Sequence, residues 1–204
     1  SPISTDDKIA YYRSLLDVGF NTLDLGSFVS HKAVPQMADT FKVIRSLAEE
    51  GRLEGPTRSL VIVGNERGAR EACQFDCIHE IGFPFSISEQ FQLRNTGASI
   101  EQALDRLSRI HEHIITHDKQ LTVYISMGFG NPYGDSWSPQ LLVDWAGKII
   151  ERYGPDVVAL SDTVGKADGP AIANSFEALI PAFDTTTFGA HLHATPWDAL
   201  EKIK

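Results

Sequence analysis

The sequence predicts an α/β fold, an incomplete (β/α)8 TIM barrel with about six strands present and its first and last units missing. Three observations carry that expectation. Short apolar strands alternate with amphipathic helices along the whole chain, which implies βαβ units and a parallel sheet. No glycine-rich phosphate turn follows the first strand, which argues against a dinucleotide-binding open sheet. Polar residues also gather at the strand ends: Asp24, Asn65, Ser86, Ser88, Ser126, Asp162, His191 and His193. In a barrel these ends converge on one mouth, where such folds keep their chemistry. A complete barrel needs eight strands and about 250 residues, so the 204 residues read as one partial barrel domain, 1–204.

In chain order, TDDKIAYYRSLLDVG (5–19) has helical apolar spacing between a Ser/Thr-Asp start and a Gly stop. NTLDLGSF (21–28) is a short strand, and VPQMADTFKVIRSLAEEG (34–51) is a second helix with Pro35 near its start. Strand RSLVIVGN (58–65), helix ERGAREACQF (66–75) and strand DCIHEIGFPFS (76–86) follow, then the helix SIEQALDRLSRIHEHIITHD (99–118). The last third repeats the pattern: strand LTVYISM (121–127), helix SPQLLVDWAGKIIERYG (138–154) and strand DVVALSD (156–162). Helix GPAIANSFEALIPAF (169–183) and strand TTFGAHLH (186–193) complete it. Thr195 and Pro196 then open a further helix, expected to run longer than the residues up to Lys204, so the sequence reads as a piece of a larger domain.

Composition narrows the function. A chain 42% hydrophobic and 22% charged fits an ordinary globular domain. Its apolar runs, such as LVIV and VVAL, fall far short of the roughly 20 residues a membrane helix needs. The net charge of −9 offers no basic stripe for phosphates. Neither nucleic acid nor membrane is therefore an expected partner. Cys73 and Cys77, without a second pair, make no zinc framework and read as small, partly buried residues of a reducing compartment, by default the cytoplasm.

The sharpest chemical signal is His191-x-His193. Side chains at i and i+2 of a strand share a face, so the two imidazoles can meet one ion while Leu192 turns to the helix layer. The alternative is one histidine packed in the wall and another capping a loop. Two ligands are also too few for a divalent ion, which takes four to six. Asp24 and Asp162, at the same end of the sheet, read either as ligands or orienters, or as loop-start residues bonding backbone N–H groups. The loop GSFVSHKAVPQM is longer than the usual two to six residues and carries Phe28 and Val29, which points to function. GFGNPYGDSWSP is a lid candidate that its turn composition largely explains. His113 and His117 share a solvated helix face, and His79 reads as a packed, hydrogen-bonded histidine.

Four stretches, DLGSFVSHKAVPQMADT, YISMGFGNPYGDSWSP, LSDTVG and AHLHATP, together resemble the hydroxymethylglutaryl-CoA lyases. These belong to the metal-dependent aldolase/acyltransferase superfamily of TIM barrels. The resemblance is collinear over nearly the whole chain. It implies a divalent cation, Mg²⁺ or Mn²⁺, held by His191 and His193, with proton transfer close to His191. It also implies Asp24 and Asp162 as catalytic residues, with Ser27, Asn65, Ser88 and Ser126 lining the substrate. The partner it implies is a small acyl-CoA, split by retro-Claisen cleavage into acetoacetate and acetyl-CoA. His31 and Lys32 would then be placed to meet a CoA phosphate or a substrate carboxylate. Oligomeric state is left open, a homo-oligomer included.

The departures are specific. The family's Arg-Asp-Gly motif would precede Ser1, and its cysteine loop and further asparagine ligand would follow Lys204. His31 stands for a common proline, Asn131 for a cysteine and Ala194 for an aspartate. The 204 residues would then hold half a metal site and be inactive alone. Two other readings stay open: a Claisen-condensing synthase of the isopropylmalate or homocitrate type, against which SFVSHKAVPQM argues, and a barrel that binds metal or acyl-CoA without catalysis.

Overall fold

The alternation expected from the sequence is present in the computed structural model, which describes residues 3–203. Six parallel strands follow chain order across one sheet. The chain divides into two compact units, residues 3–83 with 109–121 and residues 84–108 with 122–203.

The first unit opens with α1 (Thr5–Val18), capped by the Ser4 side chain on the Asp7 N–H and stopped by Gly19 in the left-handed conformation. β1 (Thr22–Phe28) does not end at Asp24. Its register shifts between Asp24 and Ser27, and Gly26 there takes a φ of 116° before the strand runs on to Phe28. A Cβ at Gly26 would also press on Thr40 Oγ1 at 3.2 Å. The expected helix 34–51 is broken into a 3-10 turn, Pro35–Met37, and α2 (Thr40–Glu49). Asp39 is drawn out of a capping role because its carboxylate binds Thr5 Oγ1 at 2.7 Å and Lys8 Nζ at 2.6 Å. β2 (Arg58–Val63) pairs with β1 on one side and with β3 (Glu80–Ser86) on the other, and α3 (Glu66–Ala72) lies between them in sequence. Only glycine fits at Gly68, where a Cβ would sit 2.1 Å from the Phe28 carbonyl. Leu25, Val43, Ile44, Leu47, Val61 and Ile81 are fully buried in this unit.

The second unit contains α4 (Glu89–Thr96), which the sequence reading missed. Ser88 caps it and Gly97 stops it, but of its residues only Gln92 is buried, so no apolar stripe announces it. α5 (Ile100–Thr116) contributes residues to both units. β4 (Gln120–Ser126), α6 (Pro139–Tyr153), β5 (Val157–Asp162) and β6 (Thr187–Leu192) follow as expected, while the expected helix 169–183 divides into α7 (Gly169–Leu179) and a 3-10 turn, Ile180–Ala182, with Pro181 inside it. The closing helix is the short α8 (Ala199–Lys202), entered through a turn at Thr195, not a helix starting at Pro196. Among the described residues no helix is long and apolar enough to cross a membrane.

Candidate metal centre

Strand register sets the geometry at the end of β6. Ser126 of β4 pairs with Ser161 of β5, and Ser161 pairs with His191 of β6. Alternation then puts Tyr124, Ser126, Ser161, His191 and His193 on one face. The Tyr124 ring stands edge-on to His191 at 5.7 Å between centroids, over a row where Ala159 and Gly189 leave room. Nε2 of His191 and Nε2 of His193 lie 3.3 Å apart. Adjacent ligands of an octahedral ion, each about 2.1 Å from it, are separated by about 3.0 Å, so this pair fits the grip of one cation. Burial, and then the neighbouring His193, lower the pKa of His191 and favour the neutral imidazole that can ligate. Among the described residues no cluster of three or more His, Cys, Asp or Glu side chains is arranged to hold a metal, so the pair supplies part of a coordination shell.

Asp162 is on the opposite face of β5, in register with Leu192. Its carboxylate accepts from Lys166 N–H at 2.8 Å and from the buried Lys202 ammonium at 3.0 Å. Lys202 also donates to the His193 carbonyl at 2.7 Å. Partial desolvation lowers the Lys202 pKa, but the bonds to Asp162 and Asp198 outweigh it and hold the ammonium above its usual range. Asp162 therefore touches the histidine pair only through Lys202 and the backbone.

In the first unit, Asp24 bonds the Gly26 N–H at 2.8 Å inside the bulge. Its side chain keeps an open surface yet lies deep among neighbouring atoms, and that crowding pushes its carboxyl up to about 6. Ser27 is half-buried beside it. Asn65 spends its side chain capping α3, accepting from Gly68 N–H at 3.0 Å. Ser88 likewise caps α4 and donates to Asp135 at 2.6 Å. Ser126 is buried, its carbonyl accepting from Ser86 Oγ and Ile87 N–H. The loop read as a lid is tied down: Asn131 bonds both N–H and C=O of Asp135, and Asp135 also receives the Gln90 N–H at 3.0 Å.

Other expectations find simple outcomes. His31 and Lys32 are exposed. His79 is held by a 3.1 Å bond from Ser59 N–H. His113 approaches Glu66 at 3.6 Å, while His117 Nδ1 meets the His113 carbonyl. Cys73 and Cys77 are unpaired, and burial raises both thiol pKa values. Phe28, expected in the functional loop, is instead buried at the end of β1 against Phe75. Sequence reasoning missed Tyr124, Ser161 and Lys202. For the first two the signal was present, since Tyr124 is two residues before Ser126 and Ser161 directly precedes Asp162.

Residues 1–196 match the family model described as HMGL-like. The chain belongs to the HMGL-like family. HMGL-like enzymes depend on a divalent cation, which accords with the imidazole pair. The chain is 30% identical over 202 residues to the 3-hydroxy-3-isohexenylglutaryl-CoA/hydroxy-methylglutaryl-CoA lyase of Pseudomonas aeruginosa, covering 99% of this chain and 65% of that one. It is 28% identical to the cytoplasmic 3-hydroxy-3-methylglutaryl-CoA lyase of Rattus norvegicus, covering 98% of this chain and 57% of that protein. The crystal structure of the HMG-CoA lyase of Brucella melitensis superposes with a TM-score of 0.88 at 28% identity, covering 100% of this chain and 70% of that one. The six parallel strands are thus those of an incomplete (β/α)8 barrel. The chain spans less than two thirds of the length of the curated relatives it matches.

Proposed function

We propose that the protein is a metal-dependent carbon–carbon lyase acting on 3-hydroxy-3-methylglutaryl-CoA or a closely related 3-hydroxyacyl-CoA. The observation that carries the reading is the paired Nε2 atoms of His191 and His193, 3.3 Å apart at the end of β6 in a barrel of this family. Mg²⁺ or Mn²⁺ suits a site that shares its imidazoles with oxygen ligands. Such a cation, when bound, polarises the tertiary hydroxyl and a neighbouring carbonyl or carboxylate oxygen of the substrate. His191 and His193 fix the reacting centre at the strand end, and Tyr124 buttresses the His191 ring. Cleavage needs a base to take the hydroxyl proton as that carbon becomes the ketone of acetoacetate. The electron pair of the broken carbon–carbon bond passes to the thioester α-carbon, and an acid protonates it to give acetyl-CoA. The resemblance makes Asp24 a catalytic residue, and its carboxyl, pushed up to about 6, suits acid–base work. Asp162, engaged by Lys202 and the Lys166 N–H, is assigned a positioning role. The two unpaired cysteines and the cytoplasmic rat relative support a cytoplasmic location.

The test is Mn²⁺ binding and acetoacetate release in the intact gene product, with His191→Ala and His193→Ala beside it. Each variant is expected to lose at least about tenfold in Mn²⁺ affinity and nearly all turnover. Turnover that survives either substitution would remove the pair from the reaction.

A further inference from the structure

We propose that Ser161 is the orienting partner of His191: its hydroxyl oxygen accepts the Nδ1–H of the imidazole and so keeps Nε2 free to bind a cation. The inference rests on the metal-site reading above and adds a residue to it. Ser161 faces His191 directly in the β5–β6 register. It is 4% exposed, and its Oγ, sheltered from solvent, has no hydrogen-bond partner among the described residues. Leaving a buried hydroxyl unpaired costs free energy that an alanine there would avoid. A metal-binding histidine, for its part, nearly always donates its second ring N–H to an acceptor, which fixes tautomer and orientation. The carboxylate that could have served, Asp162, lies on the other face of β5 and is engaged by Lys202 and Lys166. On the His191 face, Ala159 and Gly189 carry no polar side chain, and Ser126 is one strand further away.

Geometry favours the pairing. Residues paired across neighbouring strands lie about 4.8 Å apart and project to the same side. Side-chain rotation alone then brings a serine oxygen within hydrogen-bond range of an imidazole Nδ1. With the proton on Nδ1, the His191 Nε2 accepts from the His193 Nε2–H across the 3.3 Å between them. The same lone pair turns to the cation when one binds. Ser161 acts through His191, so it is a positioning residue.

The experiment uses the intact gene product with ¹⁵N-labelled histidine. Two-bond ¹⁵N–¹H spectra of the metal-free protein report the His191 tautomer, and titration with Mn²⁺ alone, followed by electron paramagnetic resonance, reports affinity. The wild type is expected to hold His191 as the Nδ1–H tautomer. Ser161→Ala should lose that preference and bind Mn²⁺ about 10-fold or more weakly. Ser161→Thr, which keeps the hydroxyl, should restore both. An unchanged tautomer, with Mn²⁺ affinity within about twofold of wild type, overturns the role of Ser161 while leaving the metal site intact. A wild-type protein that binds no Mn²⁺ overturns the metal reading itself, and this inference with it.

Discussion

The Asp24 carboxyl is pushed up to about 6, chiefly by the desolvation that crowding neighbours impose, with the bond from Gly26 N–H pulling the other way. In the unfolded chain the same group titrates near 3.8. Between these values the folded state holds a proton that the unfolded state has lost, so folding stability falls as pH rises from about 4 to about 6. Below that window the penalty is absent, and above it the penalty is complete. Asp24→Asn keeps an oxygen for the Gly26 N–H and removes the titration. Its urea midpoint should match wild type at pH 4 and exceed it at pH 7, and equal midpoints at both would contradict the assignment. Residues of this kind differed in how far the sequence exposed them. His191 and His193 could be paired in advance because strand alternation dictates that i and i+2 share a face. Asp24 was placed at a strand end only because the bulge after it cannot be read from residue types; the strand resumes through Ser27 and Phe28. Asp162 could be read either as a ligand or orienter or as a loop-start residue bonding backbone N–H groups; the Lys166 N–H bond is of the second kind, and the register that sets Asp162 opposite Leu192 is information no single strand carries.

Elements supply two further tests. Lys202 of α8 joins the Asp162 side chain at the end of β5 to the His193 carbonyl just past β6. Lys202→Met takes the ammonium from the buried Asp162 carboxylate, and a buried group left without its partner costs about 1–3 kcal/mol. Lys202→Met should thus lower the denaturant midpoint markedly, and Asp162→Asn should recover part of the loss in the double variant because the two share one interaction. Additive losses would show the pair to be uncoupled. The loop between β4 and α6 is latched to α4 by Asp135, which accepts from Ser88 Oγ, Gln90 N–H and Gln90 Nε2. Those bonds, led by the one from Ser88, hold the Asp135 carboxyl below its ordinary range. Asp135→Asn should speed proteolytic cutting within residues 128–138 severalfold while leaving cutting elsewhere unchanged. The sequence could not announce this latch because α4 itself was invisible to hydrophobic periodicity. A Ser88 cap and a Gly97 stop were its only marks, and both also suit a loop.

For the whole molecule, alternating strands and helices made the fold class legible, because βαβ topology repeats at every step and tolerates errors of a few residues at each boundary. The site was less legible, since among the described residues no third His, Cys, Asp or Glu side chain is arranged with the pair to hold a metal. Two imidazoles fall short of the four to six ligands a divalent ion takes. With the imidazole pair as its protein ligands, the chain of 204 residues should therefore bind Mn²⁺ weakly in a titration followed by electron paramagnetic resonance, and tight binding would show that further side chains join the pair. The same isolated chain carries a physical liability. Among the described residues β1 pairs only with β2 and β6 only with β5, which leaves a row of unpaired backbone donors and acceptors on each of these strands. Past β6 in the chain, Trp197 is 93% exposed and Ile203 73%. Open strands beside exposed apolar side chains recruit further strands. Light scattering should show the mass of the isolated chain rising with concentration, and a lysine placed at Phe188 or Ala190 in the open β6 strand should suppress the rise. A constant monomer mass across the range would mean that the two edges are closed by some arrangement other than strand pairing.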